Sequence, residues 1–570
     1  MRFKKTLAFI LSLSLFLVGC SNISIPTNAD AAFRNFTLNL FQQDVTSTTL
    51  GLHYTVQNPE NYGIKTSTIT LGSYDIDDAA SLAAIENCQA TLDKFSYKTL
   101  CAENQITYDV LSYHLKMAKE GISYSLYDEP LSPVTGIHAQ LPVLLAEYQF
   151  TSEADIKTYL DLIKTMPDYF SSLTNFEQKK SEAGLFMCDT TVDCVLEQCN
   201  AFVAMGDDNY LLSTFEERIN TVDYLFANSK ADYISQNQKL LHNCIIPAYE
   251  HLIAALTSLK GTGKNTQGLC YLPNGKDYYS FLVARETGSS RSVDEILTLT
   301  QSQISDDLLA MQDIVSKYPT VTQETAAISS SPDMILKDLE DKICTAFPVP
   351  QNVNVKIKYV PSALEEYLSP AFYLIPAIDN MTENVIYINQ AHSLDNIHLF
   401  TTLAHEGYPG HLYQTTYYAA KAPDPLRNLF DFKGYVEGWA TYAEMCSYYL
   451  SSLDKPSATL LQKNNSLILG LYALADIGIH YGGWNLERTT QFFSTYGIDD
   501  ENTIAEIYDI IIGDPANYLS YYVGYLEILE LKREMMEQEG KDFSQKEFHQ
   551  EILDVGPAPF EIVREQMLKS

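Results

Sequence analysis

Residues 353–390 interrupt a chain that otherwise reads as helix, and that interruption limits the folds open to it. To the N-terminal side, apolar residues recur at three- and four-residue intervals, as in ADIKTYLDLIKTMPDYFSSL (154–173) and in 234–258, the spacing of amphipathic helices. Then VNVKIKYV (353–360) alternates, AFYLIPA (371–377) is apolar and aromatic, and NVIYINQ (384–390) is rich in β-branched residues. Separated by Pro, Asp and Asn turns, these predict three short strands. Helical patterning resumes at 397–412, 434–452, 457–482 and 503–538. The expected fold class is therefore mainly α, with one small antiparallel sheet directly before the 397–412 helix.

The helical part has one clear internal break, LKGTGKNTQGLCYLPNGK at 259–276, rich in Gly and Asn. A further helix is expected near Ser292, where SVDEIL supplies a Ser N-cap and an acidic first turn. This divides the chain into an N-terminal helical region (35–270) and a region (271–570) that holds the sheet, read as one continuous body. With 39 Tyr and 25 Phe and 46% hydrophobic residues, the chain has material for a large core. There is no internal repeat and no low-complexity segment.

The first residues have another purpose. Arg2, Lys4 and Lys5 precede the apolar run LAFILSLSLFLV, a layout that predicts a secretory signal rather than a span. The run ends in Leu17-Val18-Gly19-Cys20, which resembles the bacterial lipobox, so residues 1–20 read as a lipoprotein signal and Cys20 as the lipid attachment site. The alternative is a plain signal with an incidental cysteine. SNISIPTNADAAFR (21–34) reads as a polar tether. The expected location is the extracytoplasmic face of the membrane, held by the lipid anchor alone.

Charge excludes some partners. With 72 acidic against 38 basic residues the net charge is −34, a field that disfavours nucleic acid and anionic headgroups. Apart from Cys20, nine cysteines are scattered along the chain. Export permits disulfides, with Cys88/Cys101 and Cys188/Cys194 close enough in sequence to be candidates, but spacing does not settle connectivity. No Cys-x-x-Cys pair is present to build a thiolate zinc site.

The chemistry lies in AHEGYPGHLYQ (404–414). A zinc-peptidase helix commonly presents two histidines four residues apart; here His411 follows His405 by six. On a regular helix such positions differ by roughly 120° and share no face. Pro409 cannot donate to the His405 carbonyl and crowds it, and Gly410 relaxes the backbone further. The helix is expected to break between Glu406 and His411, the extra residues bulging so that His411 returns towards His405. Two histidines and one carboxylate form a catalytic zinc set with an open position. Glu437 and Glu444, seven apart in GYVEGWATYAE, can point the same way on one helix. Glu437 is favoured as the third ligand and Glu444 as the carboxylate orienting a ligating histidine; the alternative is a pair of solvated helix carboxylates. Glu406 would be the general base that takes a proton from a water on the single Zn2+ ion and passes it to the leaving amine.

HEGYPGH followed by VEGWATYAE resembles the bacterial domain-of-unknown-function family 885, whose members carry His-Glu-x-x-Pro-Gly-His and a downstream Glu-Gly-Trp. The resemblance extends to LPNGKDYYSFLVARETGSS (272–290), DIGIHYGGWN (476–485) and DPANYLSYYVGYLEI (514–528). That family looks like a branch of the helical gluzincin peptidases, which implies an elongated helical body split by a deep cleft, with a sheet edge holding substrate by β-augmentation. Residue by residue it implies His405, His411 and Glu437 as ligands, Glu406 as base and Tyr521 as oxyanion donor, with Tyr522 and Tyr525 as competitors in the same segment. His480 is implied as a substrate hydrogen-bonder oriented by Asp476; the alternative is a core histidine satisfied by a helix carbonyl. Arg285, Arg291 and Arg488 could reach a peptide carboxylate or form ordinary salt bridges.

The expected function is a lipid-anchored, zinc-dependent peptidase acting on oligopeptides or as an exopeptidase. The alternatives are a metal-dependent amidase on non-peptide amides, and a non-catalytic peptide- or metal-binding lipoprotein.

Overall fold

The structure, a computed structural model, describes residues 28–568 apart from 66, 134, 322–330, 361–364, 366–367 and 393. The expected signal peptide and Cys20 lie outside the described residues. The proposed tether is shorter than expected, because helix α1 (Ala29–Val45) already begins at Ala29. Asn28 caps it by accepting from the amides of Asp30 and Ala31, and Ala32 and Phe33 are buried. The pattern at 21–34 is polar enough to hide this cap, which satisfies otherwise unbonded first-turn amides.

Among the described residues helices dominate, with strands confined to the predicted interval. The expected helix after Ser292 is α2 (Val293–Lys317), closed by a capping box in which Ser292 and Glu295 each bond the other's backbone amide. The expected helix over 503–538 is two. One spans Glu501–Gly513 and the other, α7, spans Asn517–Glu539. Between them Ala516 takes a left-handed conformation at φ 63°.

The sheet has three strands, β1 (Asn354–Tyr359), β2 (Ala371–Leu374) and β3 (Glu383–Ile388), in the order β1-β3-β2. It is mixed, not antiparallel as expected: β2 runs antiparallel to β3 but β1 runs parallel to it. The chain still runs up, down and up. The third strand, however, inserts between the first two instead of lining up beside the second. Burial explains the choice. NVIYI of β3 is largely buried and takes the centre, where both edges are bonded, whereas β1 carries Lys356 and Lys358 and suits an edge.

The two faces of this sheet meet different cores. Tyr373, Ile386 and Ile388 join the larger core, which draws on residues from Ala32 to Met567. Phe372 and Tyr387 join a second core built mostly from residues 50–259. Alternation along each strand makes this possible. A third, smaller core packs α2 and α6 (Lys455–His480) against the Glu501–Gly513 helix.

Among the described residues the nine cysteines form no disulfide, so neither candidate pair is joined. Among the described residues, no helix is long and apolar enough to cross a membrane.

Candidate metal centre

Helix α3 (Asn396–Glu406) ends at Glu406, and α4 (His411–Ala419) starts at His411. The four residues between, 407–410, form the expected break. Gly407 leaves helical geometry at φ −108°, ψ −103°. The excursion is hydrogen-bonded: Gly410 N–H donates to Ala404 O at 2.9 Å, and Tyr413 N–H to Gly407 O at 3.2 Å. Gly410 is required here, because a Cβ would stand 1.8 Å from the His405 carbonyl oxygen. The result brings the imidazoles of His405 and His411 to a centroid distance of 4.8 Å, nearly perpendicular at 84°.

The third member comes from α5 (Lys433–Ser447), which packs along α7. These two helices touch backbone to backbone: a Cβ on Gly438 would lie 2.4 Å from the carbonyl carbon of Gly524. The close approach sets Glu437 and Tyr521 on adjoining surfaces. Glu437 Oε2 lies 3.3 Å from His411 Nε2 and 3.6 Å from His405 Nε2. One ligand atom from each of the three residues falls within 4.8 Å of the others. Glu437 and His411 are buried, and His405 is nearly so.

Behind the triad, Glu444 Oε2 meets His405 Nδ1 at 3.2 Å, and Asn465 Nδ2 donates to Glu444 Oε1 at 2.8 Å. The contact commits Nδ1 and leaves Nε2 facing Glu437. Glu406 turns its carboxylate to the sheet, where Oε2 accepts from the Tyr373 amide at 2.8 Å. Trp439, two residues after Glu437, donates from Nε1 to the Pro409 carbonyl at 2.9 Å.

The ionisable groups of the cluster shift one another strongly. Burial works to lower the pKa of His405, yet hydrogen bonds to Glu437 and Glu444 outweigh it and push it up to about 10. Burial lowers His411. For Glu437 burial opposes the charge, but the His411 charge and hydrogen bonds from both histidines hold its carboxyl well below the usual range. Tyr521 stacks near His405 at 6.3 Å, and the Glu437 charge, then burial, raises its pKa well above the ordinary value. Its two competitors face elsewhere: Tyr525 accepts from Gln462, and the Tyr522 hydroxyl lies against Gly470 of α6.

Two expected residues take other duties. His480 is corrected to a core histidine: Nε2 meets the Ile511 carbonyl at 2.8 Å and Nδ1 accepts from the Leu269 amide at 3.1 Å, so neither nitrogen is left for a substrate. Asp476 does not orient it. It accepts instead from Tyr279 Oη at 2.5 Å and from the Ala516 amide at 3.0 Å, fixing the left-handed residue that launches α7 towards Tyr521. Arg291 and Arg285 are taken by Glu527 and by Glu286 with Asp128, and Arg488 lies over Trp484.

Sequence reasoning missed the Tyr373 amide and Asn465. A backbone donor leaves no trace in composition, and a lone Asn on a helix carries no signal of a partner 21 positions away.

The family described as "Bacterial protein of unknown function (DUF885)" matches residues 65–567. A candidate lipoprotein from Colwellia psychrerythraea superposes with a TM-score of 0.81 at 19% identity, covering 96% of this chain and 99% of that one. A candidate lipoprotein of unknown function from Shewanella oneidensis superposes with a TM-score of 0.64 at 17% identity, covering 94% and 99%. No curated protein matches the sequence. At such identities the superpositions speak for the fold alone.

Proposed function

This chain belongs to the bacterial DUF885 family, and we propose that it is a zinc-dependent peptidase, held by lipid at Cys20 on the extracytoplasmic face and acting on oligopeptides. The observation that carries the reading is the convergence of His405, His411 and Glu437 with a carboxylate, Glu406, directly adjoining the first ligand. Two imidazole nitrogens and one carboxylate oxygen are the donor set that zinc takes when one position stays open. The donor atoms also fit: both Nε2 atoms face the same Glu437 oxygen, and Glu444 backs one of them. The lipid anchor rests on the Leu17-Val18-Gly19-Cys20 sequence.

Zinc bound there supplies Lewis acidity towards a carbonyl and lowers the pKa of a water. The chain's own residues do the rest. Glu406 accepts a proton and returns it to the leaving amine. Tyr521, kept protonated by the Glu437 charge, donates a hydrogen bond to the oxygen on which negative charge develops. Glu444 keeps His405 in the tautomer and orientation that presents Nε2. The sheet, set against α3, offers an edge to an extended chain.

Metal content of the purified protein, followed by mass spectrometry of a digested peptide library, tests the reading. Zinc near one equivalent and discrete cleavage products are expected. Glu406→Gln should keep the metal and lose hydrolysis; a fully active variant overturns the mechanism. Metal retention with no turnover on any peptide would instead favour a binding lipoprotein, and turnover restricted to non-peptide amides an amidase.

A further inference from the structure

Strand β2 is an edge strand, and its residues alternate in direction. The Asn389 amide donates to the Pro370 carbonyl, so residue 370, and by alternation 372 and 374, face β3. Tyr373 therefore turns its amide away from the sheet, and that amide meets Glu406 Oε2 at 2.8 Å. We infer that the main-chain N–H of Tyr373 is a positioning group for the general base, an inference that rests on the peptidase reading above.

Glu406 needs such a group. It is the last residue of α3, followed at once by the non-helical Gly407, so its own helix does little to fix it. Glu406 as a residue is 6% exposed, and a buried carboxylate is costly unless hydrogen-bonded. Among the described residues no other group donates to it. The Tyr373 amide, by contrast, is rigid. Its side chain is buried, its hydroxyl donates to Asn384 Oδ1 at 2.5 Å, and its backbone is paired opposite Ile386. With Oε2 held by a donor that cannot rotate, Oε1 is the oxygen presented for proton transfer, and the base enters the reaction without reorganising.

The same contact constrains the substrate. An extended peptide added to the edge of β2 would ordinarily draw on outward amides, but the Tyr373 amide is already committed. A substrate carbonyl that took it would release Glu406. Productive substrates therefore pair with β2 in a register that leaves this amide to the base.

The direct test replaces Tyr373, in the full-length zinc-loaded protein, by its α-hydroxy analogue 3-(4-hydroxyphenyl)lactic acid, which exchanges the N–H for an ester oxygen and keeps the side chain. Zinc content and KM should be unchanged while kcat falls at least tenfold, part of the roughly 10²–10⁴-fold that a general base contributes. Tyr373→Phe keeps the amide and loses only the bond to Asn384, so its kcat should fall less than that of the ester protein. If the ester chain does not fold, Tyr373→Pro removes the same N–H without costing a sheet bond, since edge strands accept proline at outward amides. Wild-type kcat in a folded, zinc-loaded ester or proline protein overturns the inference and leaves the peptidase reading intact. So does a parallel fall of kcat and zinc content in the ester and Phe proteins, the mark of a merely structural contact. A wild-type protein that cleaves no peptide removes the peptidase reading and this inference with it.

Discussion

Trp439 Nε1 donates to the carbonyl of Pro409 at 2.9 Å, tying the helix that carries Glu437 to the loop that separates His405 from His411. One hydrogen bond thus couples Glu437 to the geometry of the two histidines. Both partners are buried, so removing the donor strands a carbonyl at a cost of about 1–3 kcal/mol. Trp439→Phe is expected to fold and to bind zinc about 10–100-fold more weakly, the range for groups that support ligands. Competition against a chromophoric chelator measures it, and wild-type affinity would show that the bond does not position His411.

Gly410 faces the His405 carbonyl so closely that a methyl group has no room. The obstacle is backbone, which cannot swing aside as a side chain could. Gly410→Ala should lower stability by about 1–3 kcal/mol or more and strip the metal site, read as a reduced Tm and a loss of stoichiometric zinc. An alanine variant with full zinc content would mean that the loop tolerates another path.

Glu444 accepts from both His405 and Asn465. Glu444→Ala frees the imidazole to rotate and is expected to weaken zinc binding about 10–100-fold, whereas Glu406→Gln leaves affinity near wild type. Parallel isothermal titrations separate the two roles; equal losses in both variants would sink the assignment of Glu444 as support.

Asp476 supplies a pH dependence. Burial raises its carboxyl to about 7, despite the bonds from Tyr279 and the Ala516 amide. Its folded-state pKa lies above the unfolded one, so the native state holds the proton more tightly. That stabilisation is complete below the ordinary value near 3.8, declines as pH rises, and is gone above about 7. Asp476→Asn, which keeps an acceptor and carries no charge, should unfold with a flatter pH profile. Its advantage over wild type should grow between pH 4 and 7 to a few kcal/mol, roughly 1.4 per pKa unit at most. Urea unfolding across that range checks it, and parallel profiles would refute it.

Much of this architecture is legible in residue spacing. The period of the apolar residues locates the helices and the three strands, and Ser292 with Glu295 marks a helix start that the structure keeps. Pro409 and Gly410 foretell the break after the helix that carries His405 because their effect on the backbone is local and steric. Sheet topology was not readable in the same way. Three strand patterns in a row allow β3 to lie beside β2 alone or between β1 and β2, and the choice depends on which strand is most buried in the folded state. His480 and Asp476 were misread for a related reason. A histidine one turn from an aspartate fits a catalytic pair or two unrelated core groups, and only the carbonyl of Ile511 and the amide of Ala516, brought in from distant positions, decide between them.

By itself, then, the sequence determined the mainly helical class, the place of the sheet, the interruption between Glu406 and His411, and which residue types stand ready for a metal. Each follows from forces acting over a few residues: steric limits on φ, the missing amide of proline, the period of apolar burial. The tertiary structure alone decided that Glu437 and Glu444 take opposite sides of His405, that Tyr521 rather than Tyr522 or Tyr525 faces the site, and that Tyr373 lends its amide to Glu406. Those outcomes rest on helix contact at Gly438 and Gly524 and on main-chain donors, which every residue but proline carries, so nothing in the spacing of side chains distinguishes them until the chain has folded.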